Sequence, residues 1–144
     1  MPKTTFTVVI PLYNKEREIE ATLRSVLAQN RQPEEIVVVD DGSTDRSAEV
    51  VRRIGSPLVR LIQQPNAGVS AARNRGIAEA LSSHIALLDG DDGWEPGYLA
   101  AMERLIDDYP DCGLYCAGFT IESHDGTFPA PGLERRGVVD NFFR

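Results

Sequence analysis

Three aspartates follow an apolar run within four residues, in the sequence Leu87-Leu88-Asp89-Gly90-Asp91-Asp92-Gly93-Trp94. Folding alone does not gather negative charge in this way, so a cationic ligand is expected there. An Asp-x-Asp cluster with flanking glycines, which let the backbone approach a ligand closely, suits a hard divalent metal that also bridges phosphate oxygens. An acidic surface turn is the alternative, because aspartate and glycine are common in turns.

A second acidic pair, Asp40-Asp41, also follows an apolar run rich in valine. In open α/β sheets the ligand crevice lies outside the carboxyl ends of the strands, so we expect one pocket to contain both acidic groups. A carboxylate of this pair can accept hydrogen bonds from a base or a ribose. The cluster at residues 89–92 can hold a metal that neutralises a pyrophosphate.

A third polar segment spans residues 66–76 and combines a permissive glycine, Gly68, with the start of a predicted helix. Backbone N–H groups at a helix N-terminus favour anions, and the forked guanidinium of Arg73 suits ligand oxygens. A solvated helix face is the alternative for Arg73 and the preferred interpretation for Arg75. The three segments together predict a single nucleotide site.

The elements that must position these residues alternate between β-branched apolar runs and segments of helical period. This alternation is typical of a parallel sheet flanked by helices. Strands are predicted at residues 6–11, 36–39, 58–63, 85–88 and about 114–121. The first helix is expected to be capped by Asn14 and to end near Asn30, the second opens at residues 40–45, and the fourth begins at Pro96 and ends before Pro110. The third lies within residues 66–81, with its packed face formed by Val69, Ala72, Gly76, Ile77 and Ala80.

Composition places the chain among globular proteins. Its 144 residues fit one core, with 42% hydrophobic and 26% charged residues, and we expect a domain at 1–122 followed by a loop-rich tail at 123–144. A net charge of −7 argues against a nucleic-acid partner. No apolar run is long enough for a transmembrane segment and no signal-peptide core follows Met1, so we expect a cytoplasmic protein, with the inner face of the membrane as the alternative. Cys112 and Cys116 are predicted to be buried free thiols.

Four ordered motifs resemble those of the family-2 glycosyltransferases with the GT-A fold. They read VVIPLYN at 8–14, IVVVDDGSTD at 36–45, NAGVSAARN at 66–74 and LDGDDGWEP at 88–96, and the resemblance covers about residues 5–121. It implies an α/β, Rossmann-like GT-A fold with a mostly parallel central sheet. It also implies an enzyme that uses Mn2+ or Mg2+ to transfer a sugar, with inversion, from a nucleotide-diphosphate sugar that is commonly UDP-linked. The acceptor could be a saccharide, a lipid-linked molecule or a protein.

The resemblance assigns donor-binding roles to individual positions. Pro11 and Tyr13 match the motif that lines the base pocket, and Asp41 matches the carboxylate that reads the base. Arg73 lies in the segment that closes over the nucleotide. Asn66, Gly68, Asp89 and Gly90 complete the predicted nucleotide-sugar-binding set.

The same resemblance assigns the metal. Asp89 and Asp91 match the two acids of the Asp-x-Asp motif, with Asp91 the preferred metal ligand and Asp89 facing the ribose or a metal-bound water. Asp89 and Asp92 are the alternative ligands, and Asp92 is a rival because the tandem pair leaves the register ambiguous by one residue.

The catalytic base has no convincing counterpart in this sequence. An inverting transfer needs a base within hydrogen-bond reach of the incoming hydroxyl, and members of the family carry it in an acceptor-binding half that this chain is expected to lack. Glu122, Asp125, Glu134 and Asp140 are unconvincing substitutes. A domain severed from such a half would expose apolar surface, which favours a homo-oligomer.

Two other functions remain alternatives. One is a nucleotide-binding module, or an inactive part of such an enzyme, that binds donor without turnover. The other is a phospho-receiver domain, which shares the size and the doubly wound fold but needs a lysine on a late strand. Lys3 and Lys15 are the only lysines and both lie near the start, so the receiver interpretation is weak.

Overall fold

The computed structural model of the protein describes residues 3–129. The chain divides into two compact units, one ending at Ala101 and the other beginning at Met102. The strands are β1 (Phe6–Leu12), β2 (Glu35–Asp40), β3 (Val59–Gln63), β4 (His84–Leu87), β5 (Thr120–Ser123) and β6 (Gly126–Pro129), and the helices are α1 (Ile19–Leu27), α2 (Ser47–Ile54), α3 (Val69–Glu79) and α4 (Tyr98–Asp108). Within the described range, no helix is both long enough and apolar enough to cross a bilayer.

A four-stranded parallel sheet in the order β3-β2-β1-β4 forms the centre of the first unit. Residues 36–39 of β2 are fully buried, as expected for a strand covered on both faces. The chain moves from β1 outward to β3 and then returns to the other side of β1, which creates a topological switch point between β1 and β4. The predicted parallel sheet is confirmed.

Helix α3 packs closely on β1 because Gly76 faces Val9. A Cβ at residue 76 would lie 2.3 Å from Cγ1 of Val9, so no larger residue fits without movement. Ala72 joins the same buried cluster. The predicted packed face is wrong at two positions, since Val69 and Ile77 are 51% and 40% exposed. Only Ala72 and Gly76 of α3 are buried, because the contact with the sheet is made through these two small residues.

Asn14 does not cap α1 as predicted, because that helix begins at Ile19 with Glu18 at its N-cap. Asn14 instead adopts a positive φ of 50°, and its Oδ1 accepts hydrogen bonds from the backbone N–H groups of Thr44 and Asp45. The side chain therefore joins the loop after β1 to the loop after β2.

The second unit contains an antiparallel hairpin of β5 and β6. The predicted strand at 114–121 is wrong over most of its length, because regular structure begins only at Thr120. Cys112 is partly exposed and Cys116 is exposed, and both are free thiols, so the prediction of burial is wrong. The predicted domain boundary between residues 122 and 123 falls within β5 of this hairpin. The division into two domains at that point stays a prediction. The rest of the predicted tail, from residue 130, lies outside the described residues.

Strand β4 carries exposed apolar side chains. Ile85 and Leu87 are 39% and 49% exposed and alternate with less exposed neighbours. They provide apolar surface of the kind that the predicted homo-oligomer requires, and self-association itself stays a prediction.

Candidate functional site

A cleft of about 450 Å³ lies at the carboxyl ends of β1, β2 and β4. Ligands of open α/β sheets bind at this edge, beside the switch point. The cleft contains eight predicted site residues together with four others: it is lined by Pro11, Leu12, Tyr13, Lys15, Asp41, Asn66, Gly68, Val69, Ala72, Asp89, Gly90 and Asp91. The structure therefore brings residues that are far apart in sequence into one cleft.

The ring of Tyr13 is the aromatic surface of the cleft. It follows β1 directly and is 47% exposed, whereas Pro11 is buried within the strand opposite Val39. An exposed ring beside a cleft offers a face on which a planar group can stack, with the hydroxyl left in water. Pro11 and Tyr13 thus supply the apolar wall.

Asp41 is 3% exposed and accepts three hydrogen bonds from the chain. Its Oδ1 accepts from Gln64 Nε2 at 2.8 Å and from Ala67 N at 2.9 Å, and its Oδ2 accepts from Gly68 N at 2.8 Å. Burial alone would raise the pKa of this carboxyl, but the three hydrogen bonds outweigh burial and lower the pKa. Since a carboxylate has about four acceptor positions, one remains for a ligand.

Two glycines with positive φ, one in the loop after β2 and one at the end of the loop bonded to Asp41, allow these two loops to lie close together. Gly42 has a φ of +73°, and a Cβ there would lie 2.8 Å from the backbone N of Asn66. Gly68 has a φ of +93° and forms the N-cap of α3. The loop can therefore approach the end of β2 closely, which places Asn66 and Gly68 in the cleft.

Asp91 lines the cleft and pairs with a lysine. Lys15 Nζ lies 2.7 Å from Asp91 Oδ2, with the two side chains 38% and 43% exposed. The hydrogen bond and the charge of Asp91 raise the pKa of Lys15. The preferred metal ligand is thus neutralised by a cation of the protein itself.

Asp89 forms the second ion pair of the cleft. Arg73 Nη2 lies 2.6 Å from Asp89 Oδ1, so Arg73 reaches the site through Asp89 although it does not itself line the cleft. This contact replaces the solvated helix face that was the alternative for Arg73. Arg75 pairs with Glu79 on the surface of α3, at 3.0 Å, in agreement with the interpretation of Arg75 as a surface residue.

Asp92 differs from its two neighbours because it does not line the cleft. Burial, followed by the charges of Asp91 and Asp89, raises the pKa of this carboxyl. Two like charges nearby favour the neutral form, so bringing a cation to this group would relieve repulsion. Which acid binds a metal stays a prediction.

The donor set fits Mg2+ or Mn2+ in chemistry. Within residues 3–129, no group of three His, Cys, Asp or Glu side chains is arranged as a ready-made metal site. A magnesium-like ion in a phosphate site usually takes one or two carboxylates and completes its shell with waters and phosphate oxygens. The exposed carboxylates at residues 89–92 can supply that number.

Lys15 is a site residue that the sequence interpretation missed. Its backbone N–H donates to Ser47 Oγ at 2.8 Å, while Glu16 N donates to Asp45 Oδ2 at 3.1 Å. These bonds fix the loop after β1 against the loop after β2 and so hold Lys15 over the acidic cluster. Its position three residues after β1, at the ligand edge of the sheet, was the available signal.

The rejected candidates for the catalytic base lie outside the cleft lining. Glu122 belongs to β5, Asp125 lies in the turn that follows, and both are exposed. Glu134 and Asp140 lie outside the described residues.

Comparison with known proteins gives the family context of this geometry. The sequence profile described as "Glycosyl transferase family 2" matches residues 7–139. The uncharacterized glycosyltransferase YibD of Escherichia coli (strain K12) is 39% identical over 139 residues, which cover 92% of this chain and 40% of that protein.

Two solved structures are also similar. TarS of S. aureus in complex with UDP-GlcNAc matches with a TM-score of 0.69 and 26% identity, covering 98% of this chain and 38% of that chain. The mannosyltransferase PcManGT from Pyrobaculum calidifontis in complex with GDP-Man and Mn2+ matches with a TM-score of 0.66 and 30% identity, covering 73% and 33%. The predicted GT-A fold class is confirmed, and the chain spans less than half the length of each of these relatives.

Proposed function

Because the chain belongs to glycosyl transferase family 2, we propose that its cleft binds a nucleotide-diphosphate sugar, specifically a UDP-sugar, for metal-dependent transfer of the sugar with inversion. The observation that carries the proposal is the cleft itself, where an exposed aromatic ring, a buried carboxylate and two ion-paired aspartates meet. TarS has been solved with UDP-GlcNAc and PcManGT with GDP-Man and Mn2+. These ligands support a nucleotide-diphosphate sugar as the ligand class, and the choice of nucleobase is tested by the titration below.

The proposed base pocket is formed by Tyr13 and Asp41. The exposed ring of Tyr13 offers a stacking face, and the remaining acceptor position of Asp41 can receive a hydrogen bond from an N–H group of the base. Its other acceptor positions are used by the loop at residues 64–68. Asp41 therefore reads the base while it shapes the pocket wall.

The proposed diphosphate site lies over the acidic cluster. Asp91, with Asp89 or Asp92 as the alternative, would hold Mn2+ or Mg2+, and the ion would neutralise the negative charge of the leaving nucleoside diphosphate. Lys15 and Arg73, paired with Asp91 and Asp89, carry the positive charges of the protein at this point. Each can turn from its aspartate to a phosphate oxygen.

No residue of the cleft is assigned to bind the acceptor or to act as the catalytic base that activates it. Of its carboxylates, Asp41 is bonded to three donors, and Asp89 and Asp91 are paired with cations. The proposal uses all three carboxylates in donor binding, so none of them is assigned as the catalytic base. A saccharide, a lipid-linked molecule and a protein remain the candidate acceptors.

Calorimetric titration tests the proposal directly. We expect one of UDP, GDP, dTDP and ADP to bind with Mn2+ present, with UDP favoured, and to bind much more weakly when a chelator removes the metal. The variant Asp91→Ala should lose the metal dependence. Glu49→Ala, which removes an exposed carboxylate on α2, is the matched control and should bind as the parent does.

Each other outcome has a defined meaning. Failure of all four nucleotides to bind would refute the donor-site proposal. Binding without transfer to any saccharide acceptor would favour the binding-module alternative. Metal-dependent binding that survives Asp91→Ala would move the metal to Asp89 or Asp92.

A further inference from the structure

Helix α1 holds the acidic segment from one side through a row of polar side chains. Thr22, Ser25 and Gln29 are spaced by three and four residues, so they share one face of the helix and its C-terminal extension. We propose that these three are positioning residues that fix residues 90–99, and with them the carboxylates of the donor site. This inference rests on the proposed function, and goes beyond it in assigning the control of site geometry to α1.

Thr22 anchors the start of the segment. Its Oγ1 donates to the carbonyl oxygen of Gly90 at 3.1 Å in a buried setting, and the side chain is only 2% exposed. A Cβ at Gly90 would lie 3.1 Å from the carbonyl oxygen of Pro11, so this residue also lies close to β1. The Gly90 peptide is therefore held between α1 and β1.

Ser25 anchors the residue that follows the acidic cluster. Its Oγ accepts a hydrogen bond from the backbone N–H of Trp94 at 3.2 Å and donates to the carbonyl oxygen of Thr22 at 2.7 Å. Gly93 lies against the same side chain, since a Cβ there would be 3.7 Å from Ser25 Oγ. Asp91 and Asp92 thus lie between two fixed points.

Gln29 anchors the entry into α4. Its Nε2 donates to the carbonyl oxygen of Glu95 at 2.7 Å, and its Oε1 accepts from the backbone N–H of Leu99 at 3.0 Å. The side chain is 3% exposed. The backbone N–H of Asn30 adds a bond to the carbonyl oxygen of Pro96 at 2.9 Å.

The hydrogen bonds of these three side chains indicate that they position residues 90–99 and do not only fill space. A buried hydroxyl or amide must be hydrogen-bonded to avoid a large cost, whereas an apolar residue would fill the same space without that requirement. Each of the three side chains forms at least one hydrogen bond with residues 90–99. Metal ligands whose supporting groups are removed typically lose about 10- to 100-fold in metal affinity, so the row is expected to matter for binding.

Trp94 makes the test possible because it is the only tryptophan of the chain. Its fluorescence therefore reports on the anchored segment alone. The ring stacks on Tyr98, with centroids 4.3 Å apart, so loosening of the segment is expected to change its exposure to a quencher.

The decisive variant exchanges the buried hydroxyl of Thr22 for a methyl group. Thr22→Val removes the bond to Gly90, Thr22→Ser keeps it, and Ser25→Ala is a second variant that removes the acceptor for the Trp94 N–H. Thr7→Val is the matched control, because Thr7 is also buried and its hydroxyl donates to Glu35 at 2.7 Å at the other end of the sheet. Two quantities are measured: acrylamide quenching of Trp94 without ligand, and UDP affinity with Mn2+.

We expect Thr22→Val and Ser25→Ala to raise the quenching constant and to weaken Mn2+-dependent UDP binding by about tenfold. Thr22→Ser should restore both quantities, and Thr7→Val should change neither, even where it lowers the urea midpoint. If Thr22→Val and Thr7→Val give the same quenching constant and the same UDP affinity, the inference is overturned. If the parent protein binds no nucleotide, the proposed function fails, but the quenching comparison still decides whether α1 fixes this segment.

Discussion

Replacing Asp41 by asparagine removes one acceptor oxygen from a buried junction. The carboxylate accepts from Gln64 and Ala67 on one oxygen and from Gly68 on the other. Asparagine has a single acceptor oxygen, and its NH2 group must face at least one of these donors. The variant Asp41→Asn therefore loses at least one hydrogen bond to a charged acceptor.

The expected size of the effect follows from this loss. A hydrogen bond to a charged group contributes about 1.5–3 kcal/mol. Burial of the charged form opposes this contribution, as its effect on the pKa of Asp41 shows, and the neutral amide avoids that cost. We therefore expect the free energy of unfolding to fall by the lower part of the range, about 1.5–2 kcal/mol. With a slope of about 2 kcal/mol/M in urea, the midpoint falls by roughly 1 M or slightly less.

The assay combines urea unfolding with amide hydrogen exchange. Exchange at Ala67 and Gly68 reports the two backbone bonds individually, because both amides donate to Asp41. We expect at least one of them to exchange faster in Asp41→Asn, together with weaker UDP binding. Glu49→Gln, which makes the same carboxylate-to-amide change at an exposed position in the first turn of α2, should leave the amide exchange and the UDP binding unchanged and should lower the free energy of unfolding by no more than about 0.3–1 kcal/mol.

Two results would refute the reasoning. If both amides keep the protection seen in the parent while the midpoint is unchanged, Asp41 does not hold the loop as described. A lower midpoint with unchanged protection would likewise place the loss of stability elsewhere.

Three further predictions concern other parts of the first unit. Gly76→Ala should lower the free energy of unfolding by about 1–3 kcal/mol through overpacking, because the new Cβ would lie 2.3 Å from Val9 Cγ1. Gly97→Ala is the control, since nothing lies within 4 Å of a Cβ at that position. Equal urea midpoints of the two variants would contradict the packing argument. Lys15→Ala should strengthen Mn2+ binding without nucleotide, since it frees Asp91 from its ion pair; unchanged affinity in calorimetry would show that Asp91 does not bind the ion. The stability that Asp41 contributes should be fully present above its unfolded pKa of about 3.8 and lost as the pH falls through the lower pKa of the folded state. The urea midpoints of the parent and of Asp41→Asn should therefore converge in acid, and a constant difference down to pH 2 would contradict the assignment.

The sequence determined the elements that depend on local pattern. Runs of valine and isoleucine predicted β1 and β2, and the positions of the acidic groups after β2 and β4 followed from chain order alone. The reason is that strand propensity and the ligand edge of a parallel sheet are properties of short segments and of connectivity. The individual donor-binding roles of Pro11 and Tyr13 came instead from the resemblance to family-2 glycosyltransferases.

Tertiary structure decided which of these residues meet, and how. The sheet order brings β4 beside β1, so Lys15 reaches Asp91 across 76 positions of sequence. Asparagine is a common helix cap, but the Oδ1 of Asn14 instead accepts hydrogen bonds from two backbone N–H groups in the loop after β2. Such pairings depend on long-range geometry that no local period encodes, and for this reason the ion pairs and the polar row on α1 appear only in the folded protein.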